Sequence, residues 1–552
     1  MNNASLRHAP APNGLLPGVV QALASRNWHW LCMFVVVFAV LASRRGADAT
    51  WDFRNYHLYI GEAVLGTRSA LDIAVAQQQT YFNPALDIIH AWLRRALYGS
   101  PGLLLAAMGV PQGIAAFLTW RIAAAVIPCG TSYRKALATL AVLFGATGAA
   151  GLPTLGTTMS EMIPACFMLG GLLILVERQP GARWRLAFAG ALFGIAVGFK
   201  LVIAPTSIGA AAALLLTPGR TLRVRAREIV LFGMGAAIGF LLVGGPWWLH
   251  LYQSYGNPMF PFYNNLFRSP WVPPDRMTDD RFKPVGWLRA LFYPFYWGVR
   301  GQTLVTEVWA RDPRFAMAYA AIAGLAGIAA LRHLAPANAL SPANARATFL
   351  AIFFAVSFVG WEAMFSILRY LAPIELLTGV IVVVPFLLLA PWLRVKLAPH
   401  AALAGLFIMA AAWTVYPEWG HNAGLNSAAH IVLPPLQDSS LVILLDGAPL
   451  GYLATFASST VQFVGANNSV VTPGQTTLLA RQVETAIRMH TGPLWGIEDS
   501  RDPTKGVANT TLAYYGLSRG NECVQVLSSL DNDAARLCPL APLVGTRTQR
   551  TP

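Results

Sequence analysis

The sequence predicts an all-α polytopic membrane bundle of about eleven transmembrane helices with a small C-terminal extracytoplasmic α/β domain. Three observations lead there. Charged residues are only 12% of the 552, about half the roughly 25% usual in soluble proteins, while apolar types reach 55% with 17 Trp and 28 Phe. Apolar runs alternate with short basic loops up to residue 416, and residues 417–552 then switch to a mixed strand-and-helix pattern. The chain also exceeds the roughly 250–300 residues at which one water-soluble core stops growing.

A bilayer-spanning helix needs about 20 mostly apolar residues. The runs that approach this are 28–43, 101–127, 136–151, 159–176, 185–199, 201–216, 229–249, 315–331, 347–367, 371–390 and 401–416. Loop charge fixes their direction. With the N-terminus inside, the inner segments hold Arg7, Arg26, Arg134, Lys135, Arg178, Arg183, Arg185, Arg220, Arg223, Arg225, Arg227, Arg332, Arg346, Arg394 and Lys396, against Glu177 and Glu228 alone. That is the positive-inside bias, and an odd number of spans places the C-terminus outside. Arg44 and Arg45 violate it locally. Ala47-Asp48-Ala49 has the form of a signal-peptidase site, which keeps a cleaved first segment as an alternative. Residues 1–27 read as a cytoplasmic tail, and 28–416 as the membrane domain with large outer loops 44–100 and 250–314.

In 417–552, Leu441–Leu445 before Asp446-Gly447 reads as a buried strand, and Val461–Val464 as a second. Leu478, Leu479, Val483 and Ile487 recur at helical spacing; Leu512–Leu517 suggests a further helix and Val524–Leu527 a further strand. Five cysteines are too few for a disulfide scaffold. Cys32, Cys129 and Cys166 lie in or beside apolar runs, where a lone cysteine is a small hydrophobe. Cys523 and Cys538 suit a disulfide in an oxidising compartment, worth roughly 3 kcal/mol, with two free thiols the alternative.

The net charge of +15 raises the question of nucleic acid, but the cations sit in loops between apolar runs rather than in a stripe on a polar surface, so no nucleic-acid partner is expected. No G-x-x-x-x-G-K-[ST], H-E-x-x-H or paired C-x-x-C occurs, so neither an ATP motor nor a zinc site is proposed. Gly235 and Gly239 lie inside a span and point to close helix packing instead of a dinucleotide loop.

The 44–100 segment is the most informative. It contains Trp51-Asp52-Phe-Arg-Asn-Tyr56-His57-Leu-Tyr59 and then Tyr81-Phe82-Asn83-Pro84. Aromatic faces beside a carboxylate, an imidazole and amides suit a sugar, and equally an interfacial aromatic belt. Lys200 interrupts an uncharged run, where an ammonium needs an anionic partner or must snorkel to the headgroups. Arg369 and Tyr370 sit at the outer junction of two spans; a guanidinium fork matches phosphate, although Glu375 offers it an internal salt bridge. Glu161 is the strongest second carboxylate, unless it merely balances Lys200 or Arg369; Asp87 and Glu62 are weaker. In the 250–314 loop, Asn257-Pro-Met-Phe-Pro261 excludes a regular helix and Trp287–Val299 suggests an interfacial one.

These motifs together resemble the GT-C superfamily of integral membrane glycosyltransferases that use polyprenyl-phosphate sugars. The resemblance rests on Trp51-Asp52, Asn55-Tyr56-His57, Tyr81–Pro84, Gly198-Phe199-Lys200, Asn257–Pro261 and Arg369-Tyr370, and covers most of 28–417 in architecture. It implies an inverting displacement outside the bacterial inner membrane, with a periplasmic C-terminus. Asp52 would be the general base, Lys200 and Arg369 the donor-phosphate ligands, and Tyr56, His57, Asn83, Glu161 and Tyr370 the substrate-binding residues. The partners implied are a polyprenyl-phosphate-linked sugar, a glycan, lipid or protein acceptor, and membrane lipids. No nucleotide is needed, and a divalent metal is the one cofactor left in view. Many members carry two adjacent acids here, whereas Asp52 is followed by Phe53, which leaves the second acid unassigned. A transporter or lipid flippase, and a non-catalytic glycan-assembly subunit, are the competing readings; the former usually shows pseudo-symmetric halves, and no internal repeat is evident.

Overall fold

The computed structural model describes residues 27–543 except 67, 129, 132, 160, 178–181, 334–341, 390–398, 423–429, 502–504 and 533. The predicted tail and the inner cations Arg7, Arg26, Arg178, Arg394 and Lys396 lie outside the described residues. Each of the eleven apolar windows falls on helix, among them Trp28–Ser43, Pro101–Val126, Met162–Val176, Arg183–Phe199 and Leu222–Val243. Among the described residues three helices are long and apolar enough to cross a bilayer: Pro101–Val126, Leu222–Val243 and Ala345–Met364. A fourth joins them if Leu368–Glu375 and Thr378–Leu387, bent by 50°, count as one span. Trp28–Ser43, Met162–Val176, Leu201–Leu216, Arg314–Gly327 and His400–Trp413 are apolar but shorter.

Packing shows why the apolar runs are not ordinary cores. Met234, Ile238, Leu241 and Leu242 on the 222–243 helix are 57–69% exposed, an arrangement stable only in an apolar solvent. What that helix buries is small: Gly235 and Gly239 lie against the carbonyls of Ala187 and Ala191. Gly190 and Gly194 of the 183–199 helix reciprocate against Phe232 and Ala236. Glycines four apart on both helices bring the backbones together, where lipid offers no hydrophobic drive and close van der Waals contact must serve.

Leu441–Leu444 lies between Gln462–Gly465 and Leu494–Asp499, parallel to both. Ala535–Pro542 runs antiparallel to Leu494–Asp499 and also pairs with Leu517–Arg519 and Val524–Gln525. Helix Leu478–Arg488 buries Leu479, Val483 and Ile487 against this sheet, whereas Leu478 stays 38% exposed. Cys523 and Cys538 are disulfide-bonded, linking the short strand to the long one.

Several sequence expectations need correction. The helix expected at 512–517 is Lys505–Tyr515; Gly516, at φ +65°, ends it and Leu517 begins a strand. The strand expected at 524–527 is two short ones, since Val526 turns into the core and Leu527–Ser528 pairs instead with Ile431–Val432. Trp287–Val299 is two helices parted at Phe292, and the second buries Tyr293 and Trp297. The aromatics of 44–100 are largely neither belt nor open site. Phe53, Tyr56, Tyr59 and Ile60 share one core with Val442, Leu444, Tyr452 and Phe463. Ala47–Asp48 also pairs antiparallel with His421–Asn422, so the 44–100 segment and the C-terminal sheet pack as one body.

Candidate functional site

Asp48 starts the construction. Its Oδ1 accepts the Thr50 amide at 2.9 Å, and Thr50 Oγ1 accepts the Phe53 amide at 3.1 Å, so an Asx turn and a hydroxyl cap launch a helix at Trp51. Asp52 sits in the first turn, where the helix N-terminus favours a carboxylate. Phe53–His57 is π-helical, with the Leu58 amide reaching the Phe53 carbonyl. The wider turn brings positions four and five after Asp52, Tyr56 and His57, toward its side of the helix.

Tyr56 donates its hydroxyl to Asp52 Oδ2 at 3.2 Å. Burial, and then the adjacent Asp52 carboxylate, push the Tyr56 phenol well above its ordinary value, so it remains a donor. Arg369 Nη1 meets the same Oδ2 at 2.6 Å. Oδ1 of Asp52 takes no hydrogen bond among the described residues.

The other acid arrives from the opposite wall. Asp48 Oδ2 accepts both the amide and the hydroxyl of Thr158 at 2.7 Å, fixing the turn that leads into Met162–Val176. Glu161 stands at the start of that helix, 1% exposed. Its Oε1 receives Lys200 Nζ at 2.6 Å, while its Oε2 is buried without a partner among the described residues.

Lys200 is placed by helix ends. The 183–199 helix stops where Lys200 turns extended, at φ −150° and ψ 111°. Asn83 Nδ2 donates to the freed carbonyls of Gly198 at 2.9 Å and Val243 at 3.4 Å, capping two helices at once, and its Oδ1 accepts the Ala85 amide. Lys200 Nζ also donates to the Met159 carbonyl, so one of its three N–H groups is left over.

Arg369 lies in the Leu368–Leu371 turn, anchored by the Leu368 amide on the Val305 carbonyl at 2.7 Å. Its guanidinium stands 5.2 Å from the Tyr370 ring centroid, and Nη2 approaches the Tyr370 hydroxyl at 3.5 Å. Its Nε is buried without a partner among the described residues, and Glu161 lies within electrostatic range of it. Glu375 is not its partner: that carboxylate accepts the amides of Ala150 and Gly151 at 2.9 and 2.7 Å.

The structure thus gathers Asp52, Tyr56, Glu161, Arg369 and Tyr370 with Lys200, as two cation–carboxylate pairs. His57 and Asn83 stand differently. His57 Nδ1 meets Asp87 Oδ1 at 2.5 Å and its Nε2 is buried without a partner, so it addresses Asp87 rather than Asp52. Both hydrogens of the Asn83 amide are spent on backbone, so Asn83 holds Lys200 in place. Glu62 is taken by Arg94 and Arg95. Sequence reasoning passed over Asp48; its signal was the Asp-x-Thr run before a helical pattern.

Among the described residues no three His, Cys, Asp or Glu side chains converge, and each carboxylate of the cluster already faces a cation. Chemically, the cluster offers leftover N–H donors on two cations and leftover oxygens on two carboxylates. A ligand that answers both carries an anion and hydroxyl groups.

No protein-family model matches the chain. No curated protein matches it either. Among solved structures, ArnT from Cupriavidus metallidurans bound to undecaprenyl phosphate is similar over 93% of this chain and 98% of its own, at 14% identity and a TM-score of 0.47. Its apo form gives 14% and 0.46 over the same shares. The apo oligosaccharyltransferase of Archaeoglobus fulgidus covers 87% of this chain and 70% of its own, at 12% identity and 0.44.

Proposed function

We propose that the chain is a membrane glycosyltransferase of the GT-C type, moving a sugar from a polyprenyl-phosphate donor to an acceptor hydroxyl on the extracytoplasmic side. The observation that carries this reading is the convergence of two half-buried cations and two buried carboxylates beside apolar helices, with donor and acceptor atoms left unspent. In this proposal the chain crosses the membrane with its N-terminus inside, and the cluster lies at the outer membrane boundary.

In this reading Arg369 and Lys200 hold the donor phosphate. The acceptor oxygen attacks the anomeric carbon as Asp52 Oδ1 takes its proton. The sugar–oxygen bond breaks with inversion, and its electron pair stays on the phosphate, where the two cations stabilise the added charge. Tyr56 keeps Asp52 oriented, Glu161 and Tyr370 face the sugar, and Asn83 and the His57–Asp87 pair position the walls. A glycan, a lipid or a secreted protein each supplies a suitable hydroxyl.

Asp52→Asn keeps the shape and removes the base. Transfer in a purified assay with a polyprenyl-phosphate sugar is expected to fall by about 10²–10⁴-fold, the usual weight of a general base. Wild-type transfer by a folded Asp52→Asn protein would refute the assignment.

A further inference from the structure

Both cations assigned to the phosphate are already occupied in this structure by carboxylates of the chain itself, each at 2.6 Å. We infer that Asp52 and Glu161 are internal stand-ins for the donor phosphate, specificity-determining competitors for Arg369 and Lys200 that an entering lipid phosphate displaces. The inference rests on the donor assignment above and extends it to how the site chooses its anion.

Chemistry makes the exchange natural, because carboxylate and phosphate oxygens take the same guanidinium and ammonium donors. Geometry decides which partner moves. The side chains of Asp52 and Glu161 are 9% and 0% exposed, on short stems at helix starts, and Tyr56 braces Asp52. Those of Arg369 and Lys200 are 18% and 19% exposed on long stems, so a ligand reaches the cations first and they swing to it. The present pairing is also incomplete: Arg369 Nε and Glu161 Oε2 are buried without partners among the described residues, so neither pair exhausts the capacity of its members.

Two consequences follow for specificity. Any phosphate, the donor's included, must outbid two preorganised carboxylates to enter, which suppresses weak adventitious binding of bulk headgroups. Asp52 also loses its cation only when phosphate takes Arg369, so its basicity rises only with the donor in place.

The test is binding of a long-chain polyprenyl monophosphate to the purified full chain in detergent, beside inorganic phosphate and phosphatidylglycerol. Asp52→Asn and Glu161→Gln, both close to isosteric, should each bind the polyprenyl phosphate about tenfold more tightly than wild type, because an internal competitor and a like charge are removed together. Asp52→Asn should do so while losing transfer. Inorganic phosphate should gain in the same two variants, and phosphatidylglycerol should compete well only against them. Equal or weaker binding in both variants, with wild type binding normally, overturns the inference and leaves the donor assignment standing. A gain confined to the lipid places the effect in the chain's pocket and also overturns it. Failure of wild type and every variant to bind the lipid phosphate removes the donor assignment itself.

Discussion

His90 packs edge-to-face on Phe53, with ring centroids 5.8 Å apart, and faces Asp48, Arg94, His57 and Glu62. Burial, opposed by Asp48, lowers its pKa from 6.5 to about 4, so the folded protein holds it neutral. The unfolded chain binds a proton that the folded one refuses throughout that interval. His90 therefore costs no stability above pH 6.5 and costs progressively more as pH falls toward 4, up to ~3 kcal/mol by linkage. Thermal unfolding in detergent should show this acid lability, and His90→Gln should flatten the curve between those limits; an unchanged slope would contradict the burial argument. The same scale shows what was legible in the sequence. Lys200 stood out because charge in an apolar run demands a partner, Asp52 because it lies among aromatics and amides, and Arg369 because a guanidinium fork at a span junction matches phosphate. Arg369 and Asp52 meet across more than three hundred residues, so that pair could not be read from local pattern, whereas Glu161, 39 residues before Lys200, was already in view as a counter-charge for it.

At the scale of elements, the 183–199 and 222–243 helices depend on glycine as a surface. A side chain at Gly194 would run into the Ala236 carbonyl, whereas Gly233, on the same helix as Gly235, has open space around it. Gly194→Leu must therefore push the helices apart, at a cost of roughly 1–3 kcal/mol for overpacking, and Gly233→Leu should be near neutral. Because Lys200 ends the first helix and Asn83 ties Gly198 to Val243 across the pair, that separation reaches the cluster. Gly194→Leu is expected to lower both melting temperature and lipid-phosphate affinity; a loss of neither would show that the helices do not set the lysine's position. The spacing of Gly235 and Gly239 announced a packing face. The matching Gly190 and Gly194 were equally visible, but the two helices run parallel with helix Ala204–Leu216 between them in sequence, so their pairing could not be read from adjacency. The strands at 494–499 and 535–542 escaped notice because Gly496, Pro539 and Pro542 interrupt the alternation on which strand recognition depends.

For the whole molecule, the sequence divided what the fold unites. Composition separates residues 44–100 from 417–552 because more than three hundred residues intervene, yet the two share a core. Their clasp is polar and buried. Arg68 bonds Asp72 through Nε at 3.0 Å and Nη2 at 3.1 Å, and reaches the Ser458 and Val461 carbonyls at 3.2 and 3.1 Å. Asp72 in turn accepts the Phe463 amide at 2.9 Å and the Tyr59 hydroxyl at 3.2 Å. Burial, only partly opposed by Arg68, raises the Asp72 carboxyl to about 6, so the pair stands where a lone carboxylate is costly. Arg68→Met should then destabilise by ~3–5 kcal/mol, most of it from the stranded acid. Removing that acid as well, in Arg68→Met with Asp72→Asn, should recover part of the loss, placing the double variant's melting temperature between wild type and the single. If the double variant is instead the least stable, the pair contributes net attraction, and the clasp, rather than the shared apolar core, is what joins the two segments.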